Sequence, residues 1–354
     1  MSMPDNLRVL KYVEAIREAT EQGMDDDESV FMMGLDVDDH KSIQGSTAGL
    51  LEKFGKERVF TTPLSEDAMT GIAIGAAMAG RRPIHVHIRM DFLLLCMNQL
   101  INIAAKSHYM YGGEVKVPLV IRTMIGKSWG QGAQHSQGLH AMFAHVPGIK
   151  IVAPSNAYDA KGLMLQALKD DNPIVIMEHR LLYHTEAFVP EARYTVDFGQ
   201  AKTLKKGTDI TLVGVSSMVM ECMRAAELLA DAGINAEVID PVSISPLDTD
   251  TILASVKRTG KLIVVDNSWV NCGISGEIVA KIVEDETMAF LPKIKRMGFA
   301  ETTCPTTPTL EDVFYPSVEK IARQAHQLVT GEANWQPDPD KCAELSKIHF
   351  KGPF

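Results

Sequence analysis

Two side chains have the type and the setting for proton chemistry. Glu66 stands in Pro63-Leu64-Ser65-Glu66, directly ahead of a stretch rich in small residues: Gly71, Ala73, Gly75, Ala76, Ala77 and Ala79. A carboxylate at a helix start is favoured by the helix dipole and often only caps the first turn. The apolar helix behind it supports a second reading, in which burial demands a partner or raises the pKa. Either outcome suits proton exchange with a heteroaromatic nitrogen. His135 follows the glycine-rich stretch 126–132 and is flanked by Gln134, Ser136 and Gln137. A histidine in a polar loop is commonly solvent-exposed or structurally bonded. Glycine-rich backbone also lets a ligand approach closely, and an imidazole there can trade a proton near neutral pH.

Other patterns are weaker. His85 and His87 alternate on an expected strand and share a face, but no third metal ligand accompanies them. Gly126-Lys127-Ser128 mimics the end of a phosphate loop, yet Ile121 stands where that motif needs its first glycine. No Gly-x-Gly-x-x-Gly order follows a strand and no Gly-x-Ser-x-Gly elbow occurs. The residues alone therefore point to a carboxylate–histidine site in an α/β protein.

The elements that must position these groups alternate along the chain. A helical period runs through Val9, Tyr12, Val13, Ile16 and Ala19, followed by a strand at 30–34 and a polar loop with Asp36, Asp38, Asp39, His40 and Lys41. A turn leads from 61 into the small-residue helix ending near Gly80. Strands are expected at 83–88, 117–123, 150–153 and 174–178, with helices at 91–105 and 158–169. Periodicity loosens over 185–199, which reads as a linker. A second series follows, with strands at 210–215, 236–240, 262–266 and 293–297 and helices at 218–232, 248–259, 273–284 and 317–328. Such alternation predicts mostly parallel sheets with helices on both faces. The expected division is a first domain over 1–190, a linker over 191–200, a second domain over 201–330 and a polar tail over 331–354.

Composition narrows the partners. The 354 residues exceed one small core, and 45% hydrophobic with 23% charged residues is ordinary for a globular protein. A net charge of -10 gives no electrostatic grip on nucleic acid or anionic lipid. The apolar stretch near 91–105 is broken by Asn98, Gln99 and Asn102, too short and polar to span a bilayer. Met1 to Asp5 lacks a secretory layout, and Cys96, Cys222, Cys272, Cys304 and Cys342 are scattered without metal-ligand spacing. A reduced, cytoplasmic compartment is the expectation, with small molecules and other chains as partners.

The string TPLSEDAMTGIAIGAAMAG over 62–80 resembles the beta subunits of thiamine-diphosphate-dependent 2-oxoacid dehydrogenases. The likeness continues through Asp91-Phe92, Asn102-Ile103-Ala104-Ala105-Lys106, Tyr109-Met110-Tyr111-Gly112-Gly113 and Gly132-Ala133-Gln134-His135-Ser136-Gln137. It extends over Ala144-His145-Val146-Pro147-Gly148, Asp159-Ala160-Lys161-Gly162-Leu163, Asp171-Asn172-Pro173, Glu178 and Leu182-Tyr183, covering about residues 7 to 330.

The resemblance implies an α/β fold: a pyrimidine-binding thiamine-diphosphate domain followed by a transketolase C-terminal-like α/β domain, in an alpha2-beta2 heterotetramer. By position, it places Glu66 against N1′ of the cofactor's aminopyrimidine, favouring the imino tautomer that deprotonates the thiazolium, and stacks Phe92 on the pyrimidine. His135 would face the 2-oxoacid and the acyl acceptor. A potassium ion would fall at Leu119, Ala167, Asp170 and Asn172. The chain has no Gly-Asp-Gly, so magnesium and the diphosphate would be held by an alpha subunit. A lipoylated acyltransferase would accept the acyl group.

Three features depart from the pattern. Leu35 stands in Gly34-Leu35-Asp36-Val37 where an acid is usual, putting communication between paired active sites in doubt. Arg89 precedes Asp91-Phe92, where it either recruits an anionic substrate group or forms a structural ion pair. The stretch 331–354 extends past the usual end. A free-standing decarboxylase, acyloin-forming or acetoin-cleaving enzyme is the runner-up reading, and a catalytically silent assembly subunit is the third. Joint retention of Glu66, Phe92 and His135 argues against the silent subunit.

Overall fold

The secondary structure follows from how the apolar residues are spaced. In the computed structural model, which describes residues 8–39, 41–127 and 130–345, short runs of β-branched and apolar residues form buried strands and amphipathic stretches form helices. His40, Ser128 and positions 346–354 of the expected tail lie outside the described residues. Two compact units result: residues 8–125 with 142–198, and residues 126–141 with 199–345.

In chain order the first unit holds β1 (Val9–Lys11), α1 (Tyr12–Asp26), β2 (Val30–Gly34), the single turn α2 (Ser42–Gly45), α3 (Leu50–Phe54) and β3 (Val59–Thr61). Then come α4 (Glu66–Met78), β4 (Arg82–His87), a 3-10 turn at Met90–Cys96, a π turn at Asn98–Ala104, α5 (Ala105–Met110) and β5 (Val120–Ile125). The helix α6 (His140–Ala144) begins in the second unit's segment and runs into the first. The first unit closes with β6 (Lys150–Val152), α7 (Ala157–Ala167), β7 (Ile174–His179) and β8 (Glu186–Phe188). Neighbours in its main sheet are β6-β7-β5-β4-β2-β3, every pair parallel. Their near-continuous burial is what a parallel sheet covered on both faces requires.

The stretch 185–199, read from sequence as a loosening toward a linker, is partly ordered: β8 pairs antiparallel with β1. Lys161, fully buried on α7, fixes the chain just beyond it by donating to the carbonyls of Pro190 at 2.6 Å and Glu191 at 3.1 Å, and to Glu18 at 2.6 Å. Val9, expected in the first helix, belongs to β1 instead, because the helix begins only at Tyr12.

The second unit contains β9 (Lys202–Lys205), β10 (Ile210–Gly214), α8 (Met218–Asp231), β11 (Ala236–Asp240), the short β12 (Ser243–Ser245), α9 (Thr249–Thr259) and β13 (Lys261–Trp269). It ends with α10 (Ile274–Val283), β14 (Lys293–Phe299), α11 (Pro308–Phe314), α12 (Val318–Thr330) and α13 (Pro339–Leu345). Its five-stranded sheet runs β14-β13-β10-β11-β9, parallel except for β9. The helix ends carry local signals. Asp248 caps α9 by accepting from Thr251 N at 3.0 Å, and Gly260 ends it at φ 68°. Ser317 and Gly331 do the same for α12.

The stretch after Gly331, read as a polar tail, carries α13. Trp335 stacks on His326 with ring centroids 4.3 Å apart, and Cys342 and Leu345 pack on the core shared by α8 and α12. Lys341 also pairs with Asp231.

Candidate active site

Ligands of open parallel sheets bind beyond the carboxyl ends of the strands. The loops from β3 and β4 leave that edge in the first unit, and they lead to Glu66 and Phe92. After β3, Thr62 N donates to Gly34 O at 3.0 Å, turning the chain toward α4. Glu66 is the first residue of α4 and Asp67 the second, so both carboxylates meet the positive end of the helix. Glu66 is half-buried in this chain, short of the burial that its apolar helix suggested in sequence. Phe92, also half-buried, lies on the 3-10 turn that follows β4.

One buried cluster ties these two residues' elements together. Thr70, one helical turn after Glu66, donates through Oγ1 to Cys96 Sγ at 3.1 Å; Cys96 lies four residues after Phe92. Thr70 Oγ1 is also 3.3 Å from His87 Nε2 and 3.5 Å from His85 Nδ1. Its proton is committed to sulfur, so it accepts from the imidazole N–H groups. The His85 and His87 rings sit 4.2 Å apart. Burial pushes the Cys96 thiol up to about 11, with the charges of Glu66 and Asp67 adding to the effect. Thr70, Cys96 and the histidine pair thus form a neutral bracket under the Glu66–Phe92 surface.

Burial holds His85 down to about 4, and burial plus its neighbour His85 lowers His87. An unfolded histidine titrates near 6.5, so the unfolded chain binds more protons than the folded one across pH 4 to 6.5. Stability therefore rises with pH through that window and is fully present above it. At pH 5 the His85 contribution alone costs about 2 kcal/mol. Thermal melts from pH 7 to 5 should show this loss, and His85→Asn should flatten the slope; an unchanged slope would contradict the assignment.

Arg89 directly precedes the 3-10 turn and is only 3% exposed. Leu35 is half-buried in the turn after β2. Leu119, Ala167, Asp170 and Asn172 gather at the corner joining β5, α7 and β7. Leu119 O accepts from Ile174 N at 2.9 Å, and Asp170 Oδ1 accepts from Asn172 N at 2.9 Å. Lys150 pairs with the Asp170 carboxylate, and Arg82 donates to the carbonyls of Leu168 at 3.2 Å and Asp170 at 2.9 Å. No cluster of three His, Cys, Asp or Glu able to hold a metal occurs among the described residues.

His135 belongs to the second unit, half-buried, with its backbone N–H on Gly132 O at 3.3 Å.

Comparison with known proteins matches the chain to named families and relatives. Residues 8–185 match the family described as transketolase, pyrimidine binding domain, and residues 199–321 match transketolase, C-terminal domain. The beta subunit of acetoin:2,6-dichlorophenolindophenol oxidoreductase from Cupriavidus necator is 42% identical, covering 92% of this chain and 98% of that protein. The pyruvate dehydrogenase E1 component subunit beta from Rickettsia felis is 42% identical over 87% and 94%. The chain belongs to the 2-oxoacid dehydrogenase beta-subunit family. Among solved structures, a split-gene transketolase described as an inactive beta4 tetramer shares the fold at TM-score 0.75 and 17% identity, over 91% of this chain and 98% of that one.

For this beta subunit, sequence reasoning singles out Glu66, Phe92 and His135 as candidates and does not show the link between Thr70 and Cys96. The i, i+4 spacing of Thr70 from Glu66 was visible; that it faces Cys96 is a tertiary fact. Nothing local links His140 to Asp266, whose side chains meet across 126 residues of chain.

Proposed function

We propose that this beta subunit supplies half of a thiamine-diphosphate site that decarboxylates a 2-oxoacid and passes the acyl group to a lipoyl acceptor. The observation that carries the reading is the pairing of Glu66, at the head of α4, with Phe92 on the turn bracketed to it through Thr70 and Cys96. A carboxylate with one side open and a flat apolar ring on a neighbouring element fit an aminopyrimidine. Thiamine diphosphate, when bound, supplies a nucleophilic carbon and an electron sink for loss of carbon dioxide. Glu66 then holds and returns a proton at the pyrimidine ring nitrogen, Phe92 offers its face to the ring, and His135 donates to the charge developing on the substrate. Magnesium and the diphosphate are assigned to an alpha subunit, consistent with the lack of Gly-Asp-Gly in this chain.

An alpha subunit also accounts for the surface around Glu66. Ile72, Leu94, Leu95, Ile103, Tyr109, Met110 and Tyr111 are exposed on α4, the 3-10 and π turns and α5, which contact one another in series. An apolar area of this kind marks an interaction surface. Gly75 on α4 has nothing within 4 Å of a built Cβ, leaving room for close approach. An alpha2-beta2 assembly is the form we assign. Potassium is assigned to the carbonyls of Leu119 and Ala167 with Asp170 and Asn172; the donor set suits a monovalent ion because Lys150 already offsets the Asp170 charge. A cytoplasmic compartment is the one we assign, in keeping with five cysteines that form no disulfide among the described residues.

Acetoin cleavage is the second reading, favoured by the Cupriavidus necator relative's name. The test is dye reduction by the chain co-purified with an alpha-type chain, with thiamine diphosphate, magnesium and potassium, against pyruvate, branched 2-oxoacids and acetoin. Cofactor-dependent turnover of a 2-oxoacid is expected, with lower stability when potassium is replaced by choline. Turnover of acetoin alone would move the assignment to the second reading. No turnover of any of them would leave the silent assembly role.

A further inference from the structure

The loop that carries His135 is gripped at both ends within its own unit. At its start, a Cβ on Gly130 would meet Thr306 O at 2.5 Å and one on Gly132 would meet Thr306 Cγ2 at 2.4 Å. Only glycine lets the backbone lie so close. At its end, a Cβ on Gly138 would fall 1.8 Å from Asn267 O, and Gly138 O accepts from Ser268 Oγ at 2.7 Å. Two residues on, His140 Nε2 lies 3.0 and 3.1 Å from the two oxygens of Asp266. His140 is fully buried and Asp266 is 1% exposed. Nδ1 of His140 has no hydrogen-bond partner among the described residues, so Nε2 is the nitrogen that carries a proton toward the carboxylate.

Three consecutive residues at the end of β13, Asp266, Asn267 and Ser268, therefore hold positions 138 and 140. That strand end is itself anchored, because Asn267 Nδ2 donates to Val215 O at 2.9 Å and to Ser217 Oγ at 3.1 Å. A buried carboxylate facing one imidazole is costly unless the pair is kept. Its location five residues from His135, on the same short loop, gives that cost a use.

We propose that His140 and Asp266 are positioning residues for His135, fixing the reach and orientation of the loop that presents it. This rests on the role assigned to His135 above. Neither residue touches substrate; both act through the loop backbone, which the Ser268–Gly138 bond holds at an intermediate point.

The test uses the assembled enzyme with Asp266→Asn, His140→Asn, the milder Ser268→Ala, and the exchanged pair His140→Asp with Asp266→His. Two readouts are taken: steady-state kinetics, and the rate at which diethyl pyrocarbonate carbethoxylates His135, located by peptide fragmentation. In Asp266→Asn and His140→Asn, kcat should fall about ten- to hundredfold, as misplacement by about 1 Å does, with a much smaller change in KM. His135 should react severalfold faster in both, and in the same direction but less in Ser268→Ala. The exchanged pair should recover most of the kcat. Unchanged His135 reactivity in Asp266→Asn and Ser268→Ala overturns the proposal, whatever happens to turnover. Should the unmodified enzyme show no cofactor-dependent turnover, the functional reading falls, while His135 reactivity still decides the positioning role.

Discussion

Glu66→Gln should remove turnover while leaving the fold in place. The substitution preserves shape and hydrogen-bonding reach and removes the negative charge together with the capacity to take a proton. Proton transfer by a positioned side chain contributes about 10²–10⁴ in rate, and a loss in that range is expected. The residue is half-buried and begins a helix, so the stability change should stay within about 0.5 kcal/mol. The bond from Thr70 Oγ1 to Cys96 Sγ at 3.1 Å does not involve the Glu66 carboxylate, so the bracket persists. The check is kcat of the assembled enzyme beside far-ultraviolet circular dichroism. Turnover within about threefold of the unmodified enzyme would remove Glu66 from proton transfer.

The second large effect concerns stability. Arg122 on β5 and Glu178 on β7 are fully buried, joined by Nε to Oε1 at 2.7 Å and Nη2 to Oε2 at 3.0 Å. Tyr183 adds a bond from its hydroxyl to Glu178 Oε2 at 2.7 Å, and Tyr12 stacks on Tyr183. Burial opposes the Arg122 charge, but Glu178 more than offsets it and holds the guanidinium pKa above its ordinary range. Burial, then Glu178, also raises the Tyr183 hydroxyl. Arg122→Met strands a carboxylate in the core of the sheet and should cost about 3–5 kcal/mol. Arg122→Met with Glu178→Leu removes both charges and should recover most of that loss. Denaturant unfolding of the three chains decides it. A double variant as unstable as the single would show that packing, rather than the stranded charge, sets the cost.

Much of the fold was legible because its signals are local. Strands such as β2 and β11 fell where apolar runs end at turn residues, and α8, α9 and α12 followed period and caps. The stretch 91–105 was read as one helix but divides into a 3-10 turn, a π turn and α5. Its apolar residues fit a helical period; the hold of Thr70 on Cys96 and the Asn102–Asn98 side-chain bond are tertiary and local details that period does not encode. Positions 126–141 follow the first unit in sequence yet pack with the second, because their glycines meet Thr306 and Asn267, far along the chain. In the stretch after Gly331, Trp335, Cys342 and Leu345 are too sparse to show a period, and only the surface of α8 and α12 gives them meaning. Glu66 was found through its helix and its context, while its expected burial is incomplete in the single chain.

The most direct measurement is calorimetric titration of thiamine diphosphate with magnesium into this chain alone and into its assembly with an alpha-type chain. The account predicts no binding to the chain alone and saturable binding to the assembly, with turnover appearing at the same cofactor concentration. Stoichiometric binding and turnover by the chain alone, or an assembly that binds no cofactor, would contradict it.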